Sequence, residues 1–409
     1  MEFSILGGGT HKMTEIKIDD ELHGKEFIQM AFDRCIRCST CKYGYKTYEP
    51  SCPAGEKFLF ESYWASGKIR TIRGLILGEL EWTDDLKEAI FACPTCGACM
   101  DSCQAPQADY IVDIIESLRE MAVKKIGPGP GQEKLLERIL NMEMCNPYGE
   151  PNSDNEALKK EYGLPDKAEW IYFIGCTANY RQQEIRDSTI RFLKKAGIDF
   201  TLVDEHCCTS PLLRTGQVSI AKDVMDYNIS QIKNVGASKV ITSCAGCYRT
   251  LIKDFEKFGA EYDFQVYHTI ELIKELMDKG KMKIKSEYNK TVTYHDPCHL
   301  GRHMRIYDIP REIYKKIPGL KLVEMKRNRN HAWCCGAGGG VKIAYPEWAV
   351  EISGERIKEA KECGAIVLSS VCPFCRTNLS DANEKYNGEL EVLDLLEILD
   401  ELEIEFIEK

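Results

Sequence analysis

The sequence predicts an α/β protein: a mainly helical, cysteine-dense N-terminal domain followed by a pseudo-twofold repeat of two parallel-sheet α/β units. Three observations predict it. Beyond residue 168, apolar runs of strand length alternate with helical stretches, the pattern of a parallel sheet covered on both faces. That alternation occurs twice, with cysteines at matching places. Before residue 127, cysteines stand at two-residue gaps between stretches of helical character. The expected division is an N-terminal arm over 1–25, the helical domain over 26–126, a linker and helix over 127–168, and repeat units over 169–285 and 286–409.

Composition narrows the class. The chain has 409 residues and 20 cysteines, enough length for two or three domains. A disulfide framework belongs to short secreted chains. Here the chain is long, and no basic stretch leads into an apolar run near the start, so no signal peptide is expected. Reduced, metal-bound thiols in the cytoplasm are the expectation. No apolar stretch reaches the ~18 residues of a membrane span, which leaves a peripheral place on the inner face of a membrane open. A net charge of −10 and a pI near 5.5 argue against a nucleic-acid partner. The 29% of charged residues, with many Lys, Glu and Ile, leans towards a thermophile.

The elements follow in order. The first stretch is polar, with Gly7-Gly8-Gly9, and reads as a loose arm. Phe58 to Ile90 reads as helices, with Trp64 and Trp82 as core. Gly127-Pro128-Gly129-Pro130-Gly131 cannot continue a helix, and 132–168 reads as a helix plus a polar connector. Glu169–Cys176 and Thr291–Cys298 are strands ending at a cysteine. Phe200–Asp204 is a further strand, followed by Cys207-Cys208. Cys334-Cys335 instead follows a long polar loop. Helices over 219–234 and 346–362 end at Gly236 and Gly364, where a left-handed cap fits. Strands Lys239–Cys244 and Ala365–Cys372 then run into Cys-x-x-Cys, followed by helices over 246–257 and 374–386. The acidic, amphipathic stretch from Leu390 reads as a docked terminal helix. Ligands of such sheets gather outside the carboxyl ends of the strands.

Cys35-x-x-Cys38-x-x-Cys41, then Cys52, and Cys93-x-x-Cys96-x-x-Cys99-x-x-x-Cys103 resemble two-cluster bacterial ferredoxins. The resemblance implies one cubane [4Fe-4S] cluster on Cys35, Cys38, Cys41 and Cys103, and a second on Cys93, Cys96, Cys99 and Cys52. The sequence departs in the ten residues between Cys41 and Cys52 and in Gln104 after Cys103, where proline is usual. Zinc is the alternative for such pairs, but three cysteines at two-residue gaps, twice, favour cubanes.

Each α/β unit carries five thiols: Cys176, Cys207, Cys208, Cys244 and Cys247, then Cys298, Cys334, Cys335, Cys372 and Cys375. Five exceed the four ligands of a zinc ion or a cubane. With the N-terminal pattern, these units resemble the catalytic subunits of heterodisulfide reductases and related iron–sulfur oxidoreductases from about residue 30 onward. The resemblance implies a non-cubane [4Fe-4S] cluster on each unit with the substrate disulfide held between them. A zinc ion on four thiolates of the first unit stays open, because its pair runs into Thr209-Ser210-Pro211 and Cys244-Ala-Gly-Cys247 lacks proline. Gly336-Ala337-Gly338-Gly339-Gly340 is expected to bring backbone N–H groups to cluster sulfurs; without the Lys-Ser/Thr ending it is no phosphate loop.

The resemblance implies for His299 a proton donor to the leaving thiolate, a role that an imidazole titrating near neutrality suits; a hydrogen bond to a cluster is the alternative. Arg302, His303 and Arg305 are weak candidates for anionic substrate tails. A helical zinc face of His295 and His303 is disfavoured by Pro297 and Gly301. Cys145 and Cys363 are left over, Cys363 as a small buried hydrophobe. The implied function is reduction of a mixed disulfide, such as that of coenzymes M and B. With no flavin or nicotinamide site visible, a flavoprotein or membrane cytochrome b would supply electrons within a multisubunit complex. The alternatives are an iron–sulfur relay subunit of a quinone-linked, acyl-CoA or hydroxy-acid redox complex, and a non-catalytic zinc-binding subunit.

Overall fold

Trp170–Tyr172 is buried at every position, as a strand covered on both faces must be. It is the first strand, β1, of the computed structural model, which describes residues 18–19, 22–44, 46–141, 143–152 and 155–407. The arm expected over 1–25 lies almost wholly outside the described residues. Phe200–Thr201 (β2), Lys239–Thr242 (β3) and Gln265–His268 (β4) join β1 in a parallel sheet of order β2-β1-β3-β4. Met282–Ile284 (β5) leaves that sheet behind. Thr291–Tyr294 (β6), Lys321–Val323 (β7), Val367–Ser370 (β8) and Glu391–Asp394 (β9) then build a second parallel sheet of order β7-β6-β8-β9. Ile404–Phe406 (β10) returns to pair antiparallel with β5, tying the end of the chain to the junction between the sheets.

The covering helices begin and end where local chemistry says they should. Val218–Val235 and Pro346–Glu362 lead into β3 and β8. Gly236 and Gly364 follow them at φ 77° and 74°, a conformation that only glycine adopts without strain. Past β8, Pro373 opens the helix Pro373–Lys385 at its first turn, where a missing N–H does no harm. Past β3, Ala245–Arg249 runs through a π turn, Thr250–Asp254, into Phe255–Lys257.

Three expectations change. The stretch from Leu390 is not one docked helix but β9, the helix Leu395–Asp400 and β10. Asp394 ends the strand and caps the helix through a box with Glu397, so a four-residue strand hides inside an apparently helical pattern. Cys334 follows a strand after all, because β7 precedes its loop; β7 is three residues long and only half-buried, which leaves little apolar signal. The connector after Gln132–Leu140 contains a second helix, Asn155–Tyr162.

The N-terminal helices Lys25–Asp33, Ala65–Ile76, Asp84–Phe91 and Ile111–Ile126 pack around Ile28, Ile72, Phe91, Ile114 and Leu118. Trp64 is buried and Trp82 packs against this core, as expected of core residues. Arg119, fully buried on Ile111–Ile126, fixes the domain in place. Its guanidinium donates to Phe91 O (3.1 Å) and Cys93 O (2.6 Å) in the N-terminal domain, Arg214 O (2.6 Å) in the first α/β unit and Gly339 O (2.8 Å) in the second.

Candidate metal centres

The two N-terminal cysteine runs wind the same way. Arg37 and Ser39 stand at φ 60° and 59° in the first, and Thr95 and Gly97 at 49° and 76° in the second. Left-handed backbone at non-glycine residues is strained and persists where surroundings demand it; here it curls three thiols into each short loop. Cys35, Cys38 and Cys41 line one pocket together with Cys103. Cys52 lies in the field of Cys93 and Cys96, and Cys99 in that of Cys41, Cys96, Cys93 and Cys52. The fourth thiol of each set thus comes from the other run. N–H groups point at several sulfurs: Thr95 to Cys93 (3.4 Å), Gly55 to Cys52 (3.4 Å) and Ala105 to Cys103 (3.4 Å).

Burial pushes Cys41 up to about 11 and Cys52 up to about 12. Such thiols stay protonated by themselves; a metal at the site supplies the charge that ionises them. All-thiol donor sets of this kind fit a soft metal–sulfur centre.

In the α/β half the cysteines stand where parallel strands end. Cys176 opens a helix beyond β1, Cys244 and Cys372 cap the helices beyond β3 and β8, and Cys298 lies beyond β6. The thiols meet in a row. Cys176 contacts Cys207, Cys208 contacts Cys247, and Cys247 contacts Cys244. Cys244 then meets Cys372 of the other unit. The row continues through Cys375 to Cys335, whose sulfurs are 3.4 Å apart, and through Cys334 to Cys298 and Cys96. The two five-thiol units therefore face each other at Cys244–Cys372, and the N-terminal domain meets the second unit at Cys96–Cys334.

The glycine-rich loop does a different task from the one expected. Gly336 N–H does reach Cys334 Sγ, at 3.2 Å. The later glycines pack against the N-terminal domain instead. A methyl group on Gly338 would lie 2.8 Å from Pro94 O, and one on Gly339 2.4 Å from Cys93 O. Only bare backbone fits between the second cysteine pair and the Cys93 loop.

The other candidates are redistributed. Arg302 is buried and donates to Cys96 O (2.7 Å) and Ala332 O (2.6 Å). Arg305 pairs with Asp101 and with Asp109 (2.9 Å). Both arginines bind the N-terminal domain to the second unit, Arg302 through its Nε and Nη1 and Arg305 through both Nη groups, while Arg302 Nη2 is buried without a partner. His303 is buried against Gly97, its Nε2 3.1 Å from where a Cβ would stand. His299 lies beside it with its ring tilted by 53°, ring centres 4.7 Å apart, and faces Gly246 of the first unit. Burial, reinforced by the charge of Arg214, pushes His299 down to about 4, so its ring is neutral rather than titrating near neutrality. Its Nε2 is buried without a hydrogen-bond partner.

Sequence reasoning missed two residues. Glu205 is buried and accepts N–H bonds from Ile174 (2.9 Å) and Gly175 (2.6 Å); burial pushes it up to about 8. His295, weighed in the sequence only as half of a disfavoured zinc face, stands past the end of β6 with a ring nitrogen, Cys335 Sγ and Cys375 Sγ all within 4.8 Å of one another. Its place directly after an apolar strand, three residues before a ligand cysteine, was the available signal. Of the left-over thiols, Cys145 is buried with its carbonyl accepting from Cys207 N (3.0 Å), and Cys363 turns its sulfur to Ala360 O (3.2 Å).

Two four-cysteine sets leading to two facing five-cysteine units at strand ends define an iron–sulfur oxidoreductase. Residues 170–252 and 292–380 each match the Cysteine-rich domain family, and residues 31–106 match the 4Fe-4S dicluster domain family. A subunit of the dihydromethanophenazine:CoB–CoM heterodisulfide reductase of Methanosarcina acetivorans is 38% identical over 90% of this chain and 93% of its own. The same subunit of the Methanosarcina barkeri enzyme is 37% identical over 91% of this chain and 94% of its own. The chain belongs to this family of heterodisulfide reductase subunits. An EtfAB:quinone oxidoreductase of Syntrophomonas wolfei is more distant, at 29% identity over 76% of this chain and 46% of its own. A crystal structure of a hypothetical protein from Helicobacter pylori shares the fold, with a TM-score of 0.53 at 13% identity, over 92% of this chain and 71% of that one. Among the described residues, no helix is long and apolar enough to cross a membrane.

Proposed function

We propose that this chain is a heterodisulfide reductase subunit that reduces a mixed disulfide, such as that of coenzymes M and B, to two thiols. The observation that carries the proposal is the meeting of two complete five-thiol units at Cys244 and Cys372. The net reaction consumes two electrons and two protons as one S–S bond becomes two S–H bonds. When bound, two facing iron–sulfur centres supply one electron each and an iron to receive each departing sulfur.

The residues divide that work. Cys35, Cys38, Cys41 and Cys103 hold one cubane, and Cys93, Cys96, Cys99 and Cys52 the other. Cys176, Cys207, Cys208, Cys244 and Cys247 hold one non-cubane centre, and Cys298, Cys334, Cys335, Cys372 and Cys375 the second. The units over 169–285 and 286–409 stand as a pseudo-twofold pair, a reading supported by their equal strand orders. His299 faces the junction with a neutral ring, from which an N–H can be offered to a departing sulfur. Electrons enter at the Cys35–Cys41 loop, where Cys38 and Ile36 are exposed, from a flavoprotein or a cytochrome b at the inner face of the membrane. They leave the N-terminal domain at Cys96.

The test is anaerobic metal analysis with a coupled assay. About 16 iron per chain, four clusters of four, and release of both thiols from the mixed disulfide by reduced dye are expected. About 8 iron, or zinc in the first unit, would remove the facing centres. Full iron without thiol release would favour an electron relay of the quinone-linked kind.

A further inference from the structure

The two units are built unequally around their thiols. His295 is buried, neither of its ring nitrogens has an oxygen or nitrogen partner, and the ring interacts with Cys335, whose sulfur and that of Cys375 lie within 4.8 Å. A buried N–H left without an acceptor is costly, so an acceptor belongs there, and sulfur is at hand. The strand registers identify the counterpart in the first unit. Trp170 pairs with Lys239 as Val292 pairs with Val367, so β1 and β6 superpose and Phe173 takes the place of His295. A phenyl ring donates nothing.

A second difference points the same way. Arg302 carries a permanent charge amid Cys96, Cys298 and Cys334. Its counterpart, four residues beyond Cys176, is Tyr180, whose hydroxyl bonds to Asn152 Oδ1 (3.3 Å). N–H donors to sulfur and nearby positive charge both stabilise the reduced, more negative form of an iron–sulfur centre and raise its potential.

We propose that His295 is a tuning residue of the second unit, donating an N–H to the sulfur at Cys335 or Cys375 and making that centre the more oxidising of the two. The inference rests on the reading that both units hold iron–sulfur centres. It gives the pair an order: the centre beside Cys96 is reduced first, and the centre flanked by Phe173 second.

The test is an anaerobic redox titration of the full-length holoprotein followed by EPR, with iron counted on each sample, on wild type, His295→Phe and His295→Gln. Wild type is expected to show two non-cubane midpoints. In His295→Phe the upper one falls, so that at the wild-type midpoint the reduced-to-oxidised ratio drops at least tenfold, about 59 mV for a one-electron couple. Pulsed EPR loses the imidazole nitrogen coupling in the same sample. His295→Gln, which keeps an N–H, recovers part of the potential. An iron-replete His295→Phe with an unmoved midpoint overturns the inference alone. Wild type without iron in the α/β half overturns the underlying reading, and the inference falls with it.

Discussion

Arg119 bonds to three parts of the molecule at once, so Arg119→Met is an informative perturbation. Its four bonds of 3.1 Å or less end on carbonyls of Phe91, Cys93, Arg214 and Gly339. Hydrogen bonds to charged groups are worth ~1.5–3 kcal/mol each, and orphaned buried carbonyls lose about as much. Four such bonds do not add in full, because methionine restores packing and the Arg214 and Gly339 carbonyls can reach water once the surfaces part. A loss of about 3–5 kcal/mol is expected, the range for breaking a buried charge network. Arg119→Lys keeps the charge but reaches fewer carbonyls, and should lose roughly half as much on the same scale. The assay is anaerobic urea unfolding of the iron-loaded protein, read separately at the cluster absorbance and by circular dichroism. Because Cys93 and Gly339 are both released, the N-terminal domain should part from the second unit before the sheets unfold. A loss below about 1 kcal/mol, or a single unchanged transition, would refute the view that this guanidinium holds the domains together.

Other predictions test separate links. Gly339→Ala puts a methyl 2.4 Å from Cys93 O at φ 62° and should slow electron passage into the second unit, whereas Gly364→Ala, at φ 74° with open space, should lose only about 1 kcal/mol of stability; stopped-flow reduction and thermal melts separate the two. Asp296 takes two bonds from buried Arg311, at 2.6 and 2.8 Å, and one from Arg329 N, while Glu324 also pairs with Arg311; Asp296→Asn should destabilise by about 1–3 kcal/mol in urea titration, and an unchanged midpoint would show the pair to be idle. Lys68 is buried and donates to Ala89 O (2.6 Å), and burial pushes it down to about 8. Its folded value lies below the unfolded one of about 10.4, so between these pH values the unfolded chain binds the extra proton and stability rises with pH, by at most ~1.4 kcal/mol per unit. Lys68→Met should abolish that rise; equal slopes in both proteins would refute the assignment.

Much of the architecture was legible because its signals are local. An apolar run ending at Cys176 or Cys298 is a buried strand reaching the end of its sheet, and Pro346–Glu362 carries its own start and stop. The resemblance of the first cysteine run to two-cluster ferredoxins grouped Cys103 with Cys35, Cys38 and Cys41, and these four line one pocket. What escaped was set by long-range packing. β4, β7 and β9 are three or four residues long and half-exposed, so their period barely registers before the adjoining segment begins. Arg302 looks like a surface cation beside a site; its acceptor, Cys96 O, is 206 residues away in sequence. The glycines after Cys335 resemble a sulfur cradle, and only the nearness of the Cys93 loop shows why side chains are excluded there.

These contacts share one direction. Arg302, Arg305, Gly338 and Gly339 all bind the Cys93–Cys103 run to the second unit, and Cys96 touches Cys334 there. The first unit meets the N-terminal domain through a different chemistry, a buried cluster in which Arg214 pairs with Glu116 (3.1 Å) and Asp254 (2.9 Å). No thiol takes part in that contact among these pairs. The N-terminal domain thus meets the first unit through these charges and the Arg119 bond to Arg214 O, and the second through the Arg305 ion pairs and through Cys96 against Cys334. Under the proposed function, the row of thiols runs from Cys96, which meets Cys334, to Cys176 at its far end, with the meeting of Cys244 and Cys372 between them.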